Sequence, residues 1–266
     1  MAEKRDRPVR VVVHMGFHKT GTTSAQQFLR ANGKHLWPVM ALGLRQQLEP
    51  VLFASRAFST WRDPFSLEKL RRRFGAYLGG LDLGRKRDLL LSSEELAGHM
   101  PGRDELSDYS AVPEIADVLE QGLKARFGDP EVVFFFTLRR GESWLESAHW
   151  EHVKSSRMVL DYPEFAAKYP DAGALEPVVE ATRARLESKV ETAWLEEIGG
   201  LHFGPATPLL DLMRLDPARR ARLALPRHMN RRQHEGGVME TLLGLNRSDL
   251  GEEALKEAKD RVLGRS

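Results

Sequence analysis

Apolar residues along the chain follow two periods in alternation. Val11, Val12 and Val13 form a β-branched run that ends at His14 and Met15, a second short run spans Arg87 to Leu91, and Val132 to Phe136 is apolar at every position. Runs of this length predict strands, the last of them buried on both faces of a parallel sheet. Elsewhere the apolar positions recur at helical spacing. Thr23 to Ala31 carries Phe28 and Leu29 and closes near Asn32 and Gly33. Ser66 to Leu78 sets Leu67, Leu70, Phe74, Tyr77 and Leu78 on a core-facing side, with Arg71, Arg72 and Arg73 between them on a solvated one. Val112 to Phe127 is amphipathic through Ile115, Val118, Leu119 and Leu123 and stops at Gly128 and Pro130, and Glu142 to Lys154 is expected as the helix after the Phe-rich strand. Strand and helix in alternation predict an α/β fold, doubly wound, with a mostly parallel sheet, helices on both faces and a helix-rich C-terminal half.

Two regions read differently. The stretch containing Trp37, Pro38, Pro50, Trp61 and Pro64 predicts irregular structure, either part of an acceptor pocket or aromatic plugs under long loops. Past Tyr162 the pattern is mainly helical, with no strand and with terminal helices over Met239 to Asn246 and Glu252 to Val262. There is no internal repeat or low-complexity linker, so the 266 residues predict one α/β domain, 1–266, with residues 1–8 a flexible N-terminus.

Composition narrows the chemistry. Lys plus Arg number 40 against 38 Asp plus Glu, a formal charge of +2, which gives no general affinity for nucleic acid. The absence of cysteine excludes disulfides, a thiolate nucleophile and Cys-ligated metal, and fits a reducing compartment. With no signal-like segment and no membrane-length apolar run, a cytoplasmic protein without a membrane span is expected.

The candidate chemistry starts where the first strand ends. Gly16 and Gly21 bracket a short loop before a helix, an arrangement that turns backbone N–H groups into one concavity at a positive helix end. Lys19 adds a full charge, and Thr20, Thr22, Thr23 and Ser24 add hydroxyls. The pattern approaches the nucleotide-binding G-x-x-x-x-G-K-[ST] loop, but Thr22 stands where that motif needs lysine. An ordinary ATPase or kinase is disfavoured.

Lys19-Thr20-Gly21-Thr22-Thr23 resembles the K-[ST]-G-[TS]-[TS] loop of sulfotransferases that use 3′-phosphoadenosine 5′-phosphosulfate (PAPS), and a bacterial-type cytosolic member is the better analogy. The resemblance implies that Lys19, Thr20, Gly21, Thr22 and Thr23 hold the 5′-phosphosulfate; the Ser24 hydroxyl follows them at the helix start, and His18, inside the loop, is a candidate contact to the sulfate. It also implies a 3′-phosphate site built from a strand-end arginine and a serine eight positions later; Arg139 and Ser147 stand at that spacing. A guanidinium forks onto phosphate oxygens and a hydroxyl two turns along a helix reaches the same group. The family's usual Asn-Pro after the arginine is replaced by Arg140-Gly141, leaving Arg140 either on the cofactor or in an ion pair. Seven arginines lie between Arg214 and Arg232 with Asp216 the only acid. The resemblance, in which related enzymes bring a basic C-terminal segment over the 3′-phosphate, implies Arg227, Arg231 and Arg232 as candidates for it, while Arg219, Arg220 and Arg222 read as a solvated helix face.

Sulfuryl transfer needs positive charge on the departing phosphate, which Lys19 would supply, and a base for the acceptor proton. The segment Ser92-Ser93-Glu94-Glu95 resembles an S-x-E element of bacterial members. With Ser92 as N-cap, Glu95 would complete a capping box and leave Glu94 as general base. Glu95, His18, His99 and His149 are the alternatives. The expected activity is transfer from PAPS to a hydroxyl or amine of a small-molecule or carbohydrate acceptor, releasing adenosine 3′,5′-bisphosphate (PAP) without a metal. The competing readings are a small-molecule kinase using Mg-ATP and a non-catalytic nucleotide-binding protein.

Overall fold

The computed structural model describes residues 7–84, 86–103, 105–226 and 237–264. Along the chain, Arg10–Gly16 is β1, Thr22–Ala31 α1, Gly33–Leu36 α2, Met40–Gly43 β2, Arg45–Trp61 α3, Pro64–Gly79 α4 and Asp88–Ser92 β3. Val112–Phe127 is α5, Glu131–Leu138 β4, Gly141–Ser155 α6, Tyr162–Lys168 α7, Leu175–Arg185 α8 and Lys189–Trp194 β5. Leu195–Ile198, Thr207–Leu212, Pro217–Arg220, Val238–Asn246 and Glu252–Val262 are α9 to α13.

The five strands form one sheet in the order β2-β3-β1-β4-β5, and every pairing is parallel rather than mostly so. Alternation within the apolar runs sends residues to two faces. Val11, Val13, Leu89, Leu91, Phe134 and Phe136 join a core with α3, α4, α5 and α8. Val12, Leu90, Val133 and Phe135 join a second core with α1 and α10. Both faces are covered, as a doubly wound fold requires. The chain leaves β1 on one side for β2 and β3, then crosses to its other side for β4 and β5. The carboxyl ends of β3, β1 and β4 therefore border the crevice where such sheets bind ligands.

Two expectations are corrected. The stretch read as irregular contains β2 and the seventeen-residue α3. Pro50 suggested a loop, yet it sits in the second turn of α3, while Leu48, Val51, Leu52, Ser55, Phe58 and Ser59 build a buried helical face. A strand also exists beyond Tyr162: β5 pairs Val190 with Phe134 and Thr192 with Phe136. Its charged Lys189 and Glu191 are tolerated because it is an edge strand, open to solvent. Of the N-terminus expected to be flexible, residues 1–6 lie outside the described residues, whereas Arg7 forks onto Asp88 at 3.0 and 2.7 Å.

The last helices dock on α6. Lys259, buried, donates to the carbonyls of Val153 and Ser156 at 2.8 and 2.7 Å, and Asn246 donates to Val153 O and Met158 O. The contacts to Val153 O and Ser156 O satisfy carbonyls left open at the end of α6. Among the described residues no helix is long and apolar enough to cross a membrane.

Candidate active site

The β1–α1 loop is tied down from within. Thr20 Oγ1 donates to Phe17 O at 2.6 Å, Thr22 Oγ1 reaches the same carbonyl at 3.4 Å, and Trp144 Nε1 donates to His18 O at 2.8 Å. The hydroxyls of Thr20 and Thr22 thus face the loop itself, and what Thr22 offers a ligand is its backbone N–H. Among the described residues no acceptor meets the N–H groups of Gly21, Thr22, Thr23 and Ser24. Thr23 is exposed and Ser24 half-buried at the start of α1, so those amides border solvent. Lys19 has φ 63° and Gly21 φ 91°. A non-glycine residue in the left-handed region is uncommon, and alternation of this kind curls successive N–H groups inward as an anion cradle.

Lys19 Nζ lies 2.8 Å from Glu151 Oε2 on α6, and Lys154 Nζ lies 2.5 Å from the same oxygen. Burial alone would raise the Glu151 carboxyl, but the two ammonium groups overcome it and hold its pKa down at about 2. Spacing along α6 missed this carboxylate. Ser143, Ser147 and Glu151 recur every four residues and so share one helix face.

Arg139, at the end of β4, donates from NH1 to Lys19 O at 3.1 Å and from Nε to Ser143 Oγ at 3.1 Å. The guanidinium thereby joins the loop to the first turn of α6. Ser147 is half-buried one turn beyond Ser143. Arg140 is exposed, and its N–H donates to Glu196 Oε1 at 3.1 Å. Arg227, Arg231 and Arg232 lie outside the described residues. Of the three arginines expected on a solvated face, Arg219 donates to His35 O and Arg220 pairs with Asp211, so these two are anchored, while Arg222 is exposed; Arg214 pairs with Glu131.

Glu94 follows β3 on the other side of β1. Gly16 has φ 90°, and a Cβ there would lie 2.9 Å from Glu94 Cα, so only glycine lets this backbone reach the loop. Gln26 Nε2 on α1 donates to Glu94 Oε2 at 3.1 Å. Burial pushes the Glu94 carboxyl up, with the neighbouring Glu95 acting in the same direction and Arg45 and Gln26 opposing it. A carboxylate raised toward neutrality is better matched to taking and giving protons near pH 7.

The cap beside it differs from expectation. Ser93, not Ser92, is the N-cap, its Oγ accepting from Glu95 N at 3.3 Å. Ser92 Oγ instead lies 2.9 Å from Nδ1 of buried His14, whose Nε2 is 3.2 Å from Thr137 Oγ1. Glu95 is committed to Arg56 and to Arg45, the latter at 3.1 Å. Glu94, by contrast, accepts from Gln26 and has no arginine ion pair among the described residues.

The histidines are otherwise engaged. His18 Nδ1 is 2.9 Å from the Tyr109 hydroxyl, and burial, with nearby His99 and Arg103, lowers its pKa to about 3. It is a neutral wall of the loop. His149, buried, meets Leu160 O at 2.9 Å, and His99 is half-buried, its backbone N–H donating to Ser59 Oγ. No three-member group of His, Asp and Glu suited to a metal occurs among the described residues. No family model matches the chain, and no curated protein matches it.

Proposed function

We propose that this chain is a PAPS-dependent sulfotransferase. The observation that carries the reading is the convergence of three separate segments on one crevice: Arg139 NH1 meets Lys19 O at 3.1 Å on one side of the β1 loop, and Glu94 abuts Gly16 on the other. The open amides of Gly21 to Ser24, the positive end of α1 and Lys19 fit a phosphosulfate. Arg139 and Ser147 fit a second, 3′-phosphate, which separates this nucleotide from ATP.

PAPS would supply an activated sulfuryl group. The chain's own part is assigned to three groups. Glu94 accepts the proton from the acceptor hydroxyl or amine as that atom bonds to sulfur. Lys19 and the loop amides balance the charge that stays on phosphate oxygen when the S–O bond breaks. The β1 loop and Arg139 fix the donor so that attack is in line. A cytoplasmic location belongs to this reading, supported by the cysteine-free, charged sequence.

Thermal stability with PAP, ADP or ATP plus Mg²⁺ tests it. At about a hundred times its dissociation constant a ligand adds about 2.7 kcal/mol. PAP should stabilise the protein equally with and without Mg²⁺, and Lys19→Ala and Arg139→Ala should lose the effect. Stabilisation by Mg-ATP in preference to PAP would replace this reading with that of a kinase.

A further inference from the structure

Beyond Glu94 the protein surface opens into two adjoining cavities that share Arg56. The nearer, of about 270 Å³, is lined by Arg30, Arg45, Arg56, Glu49, Glu95 and Leu52. The farther, of about 560 Å³, is lined by Phe53, Arg56, Thr60, Trp61 and His99. Both follow the exposed side of α3, and Arg30 lies one turn after Gln26, the residue that holds Glu94. The nearer cavity is lined by Glu95, the chain neighbour of the carboxylate assigned as base, and by Arg45, whose charge acts on that carboxylate.

Its chemistry changes along its length. Glu95 occupies Arg56 and one edge of Arg45, but the Arg45 side chain is 64% exposed, and Arg30, also exposed, has no acidic partner among the described residues. Two solvent-facing guanidiniums beside a proton acceptor suit a negatively charged substituent, which arginine binds through paired N–H donors. In the farther cavity Trp61 is 73% and Phe53 50% exposed. Large rings left in water next to a hydroxyl and an imidazole suit the C–H face and hydroxyls of a sugar. Lys69 and Arg73 lie over the Phe53 ring at 5.3 and 5.1 Å and add positive charge there.

Resting on the sulfuryl-transfer reading, we infer that the acceptor is an anionic saccharide, bound along α3 with a carboxylate or sulfate group on Arg30 and Arg45, a ring against Trp61, and the reacting hydroxyl at Glu94.

Calorimetric titration with a heparin-derived tetrasaccharide and with neutral maltotetraose tests this, with PAP titrated in the same preparations. The sulfated tetrasaccharide should bind and maltotetraose should not. In Arg30→Ala/Arg45→Ala its affinity should fall about ten-fold or more, as loss of charge-assisted pairs predicts, and Trp61→Ala should weaken it too. PAP affinity should be unchanged in both variants. Because all three side chains are largely exposed, the variants are expected to fold. Equal binding of the neutral sugar overturns the inference, as does tetrasaccharide binding that the double variant leaves intact, which would place it on other basic surface. PAP binding without tetrasaccharide binding overturns this inference alone. Failure of PAP to bind overturns the sulfotransferase reading and the acceptor assignment with it.

Discussion

Lys19 and Glu151, separated by most of the β1-to-α6 chain, meet at 2.8 Å in the crevice, with side chains 10% and 25% exposed. The lysine assigned to the departing phosphate is thus already held by a carboxylate. On the proposed function, an arriving phosphosulfate would compete with Glu151 for the same ammonium group. Lys154, on the same carboxylate, keeps a counter-charge on Glu151 when Lys19 moves.

Glu151→Gln separates the two roles of this contact. Without the competing charge, PAP should bind several-fold more tightly, measured by titration. The unliganded protein should lose about 1–3 kcal/mol, because two ammonium groups then share a largely buried site. The pH dependence follows from the depressed carboxyl, at about 2 in the native state. Its contribution is complete above the unfolded value near pH 4.5 and disappears as pH falls toward 2. Urea midpoints of the two proteins should therefore converge in acid. Weaker PAP binding by the variant would mean that Glu151 helps the site rather than restrains it.

Glu94→Gln should lower kcat by about 10²- to 10⁴-fold, the usual range for a positioned base, and leave PAP affinity unchanged. Its effect on stability has the opposite sign to that of Glu151. Burial raises the Glu94 pKa, so the native state holds this proton more tightly than the unfolded chain and loses stability as pH rises through the native value. The neutral amide should be as stable as wild type, or more so, at pH 7. The kcat/KM profile should rise with pH through an apparent pKa above 4.5. A variant with full activity would remove Glu94 from the mechanism and direct attention to Glu95.

Legibility followed burial and sequence distance. β1, β3 and β4 could be read because a strand covered on both faces is apolar at every position, as in Phe134, Phe135 and Phe136. β2 and β5 are the sheet edges, one only four residues long and the other carrying Lys189 and Glu191, so neither shows a continuous apolar run. Pro50 concealed α3 although it stands near the helix start, where a missing N–H costs least. In the site, Lys19 to Thr23 is a local motif and visible as one. Glu151 reads as an ordinary charge on an amphipathic helix until the turn after β4 brings α6 against the loop. Arg30 and Arg45 pass for surface residues for the same reason.

Gly16→Ala should be among the most damaging small substitutions in the chain. The added methyl would stand 2.9 Å from Glu94 Cα, and the backbone there is at φ 90°. Neither the strand end nor the short turn carrying Glu94 can yield independently, since Ser93 N donates to His14 O at 3.1 Å. A destabilisation of about 2–4 kcal/mol is expected from strain plus overlap. Catalysis should fall further than PAP binding, because the displaced group is the base. Chemical denaturation and a kcat measurement on the folded fraction check the two parts.

His14 links the tips of three strands: it lies on β1 between Ser92 of β3 and Thr137 of β4. Burial lowers its pKa to about 3. In the unfolded chain it protonates near pH 6.5, so the native state refuses a proton that the unfolded state takes up, and stability falls as pH drops from about 6.5 toward 3. His18, lowered to about 3 as well, adds a second increment over the same range. Each such histidine removes up to about 1.4 kcal/mol per pH unit. His14→Gln supplies a neutral side chain with a donor and an acceptor for the two hydroxyls. It should cost some stability at pH 7 yet flatten the decline between pH 6.5 and 4.5 relative to wild type. Parallel curves for the two proteins would mean that His14 opens to water and takes its proton without unfolding, in which case the junction of β1, β3 and β4 is looser than its hydrogen bonds imply.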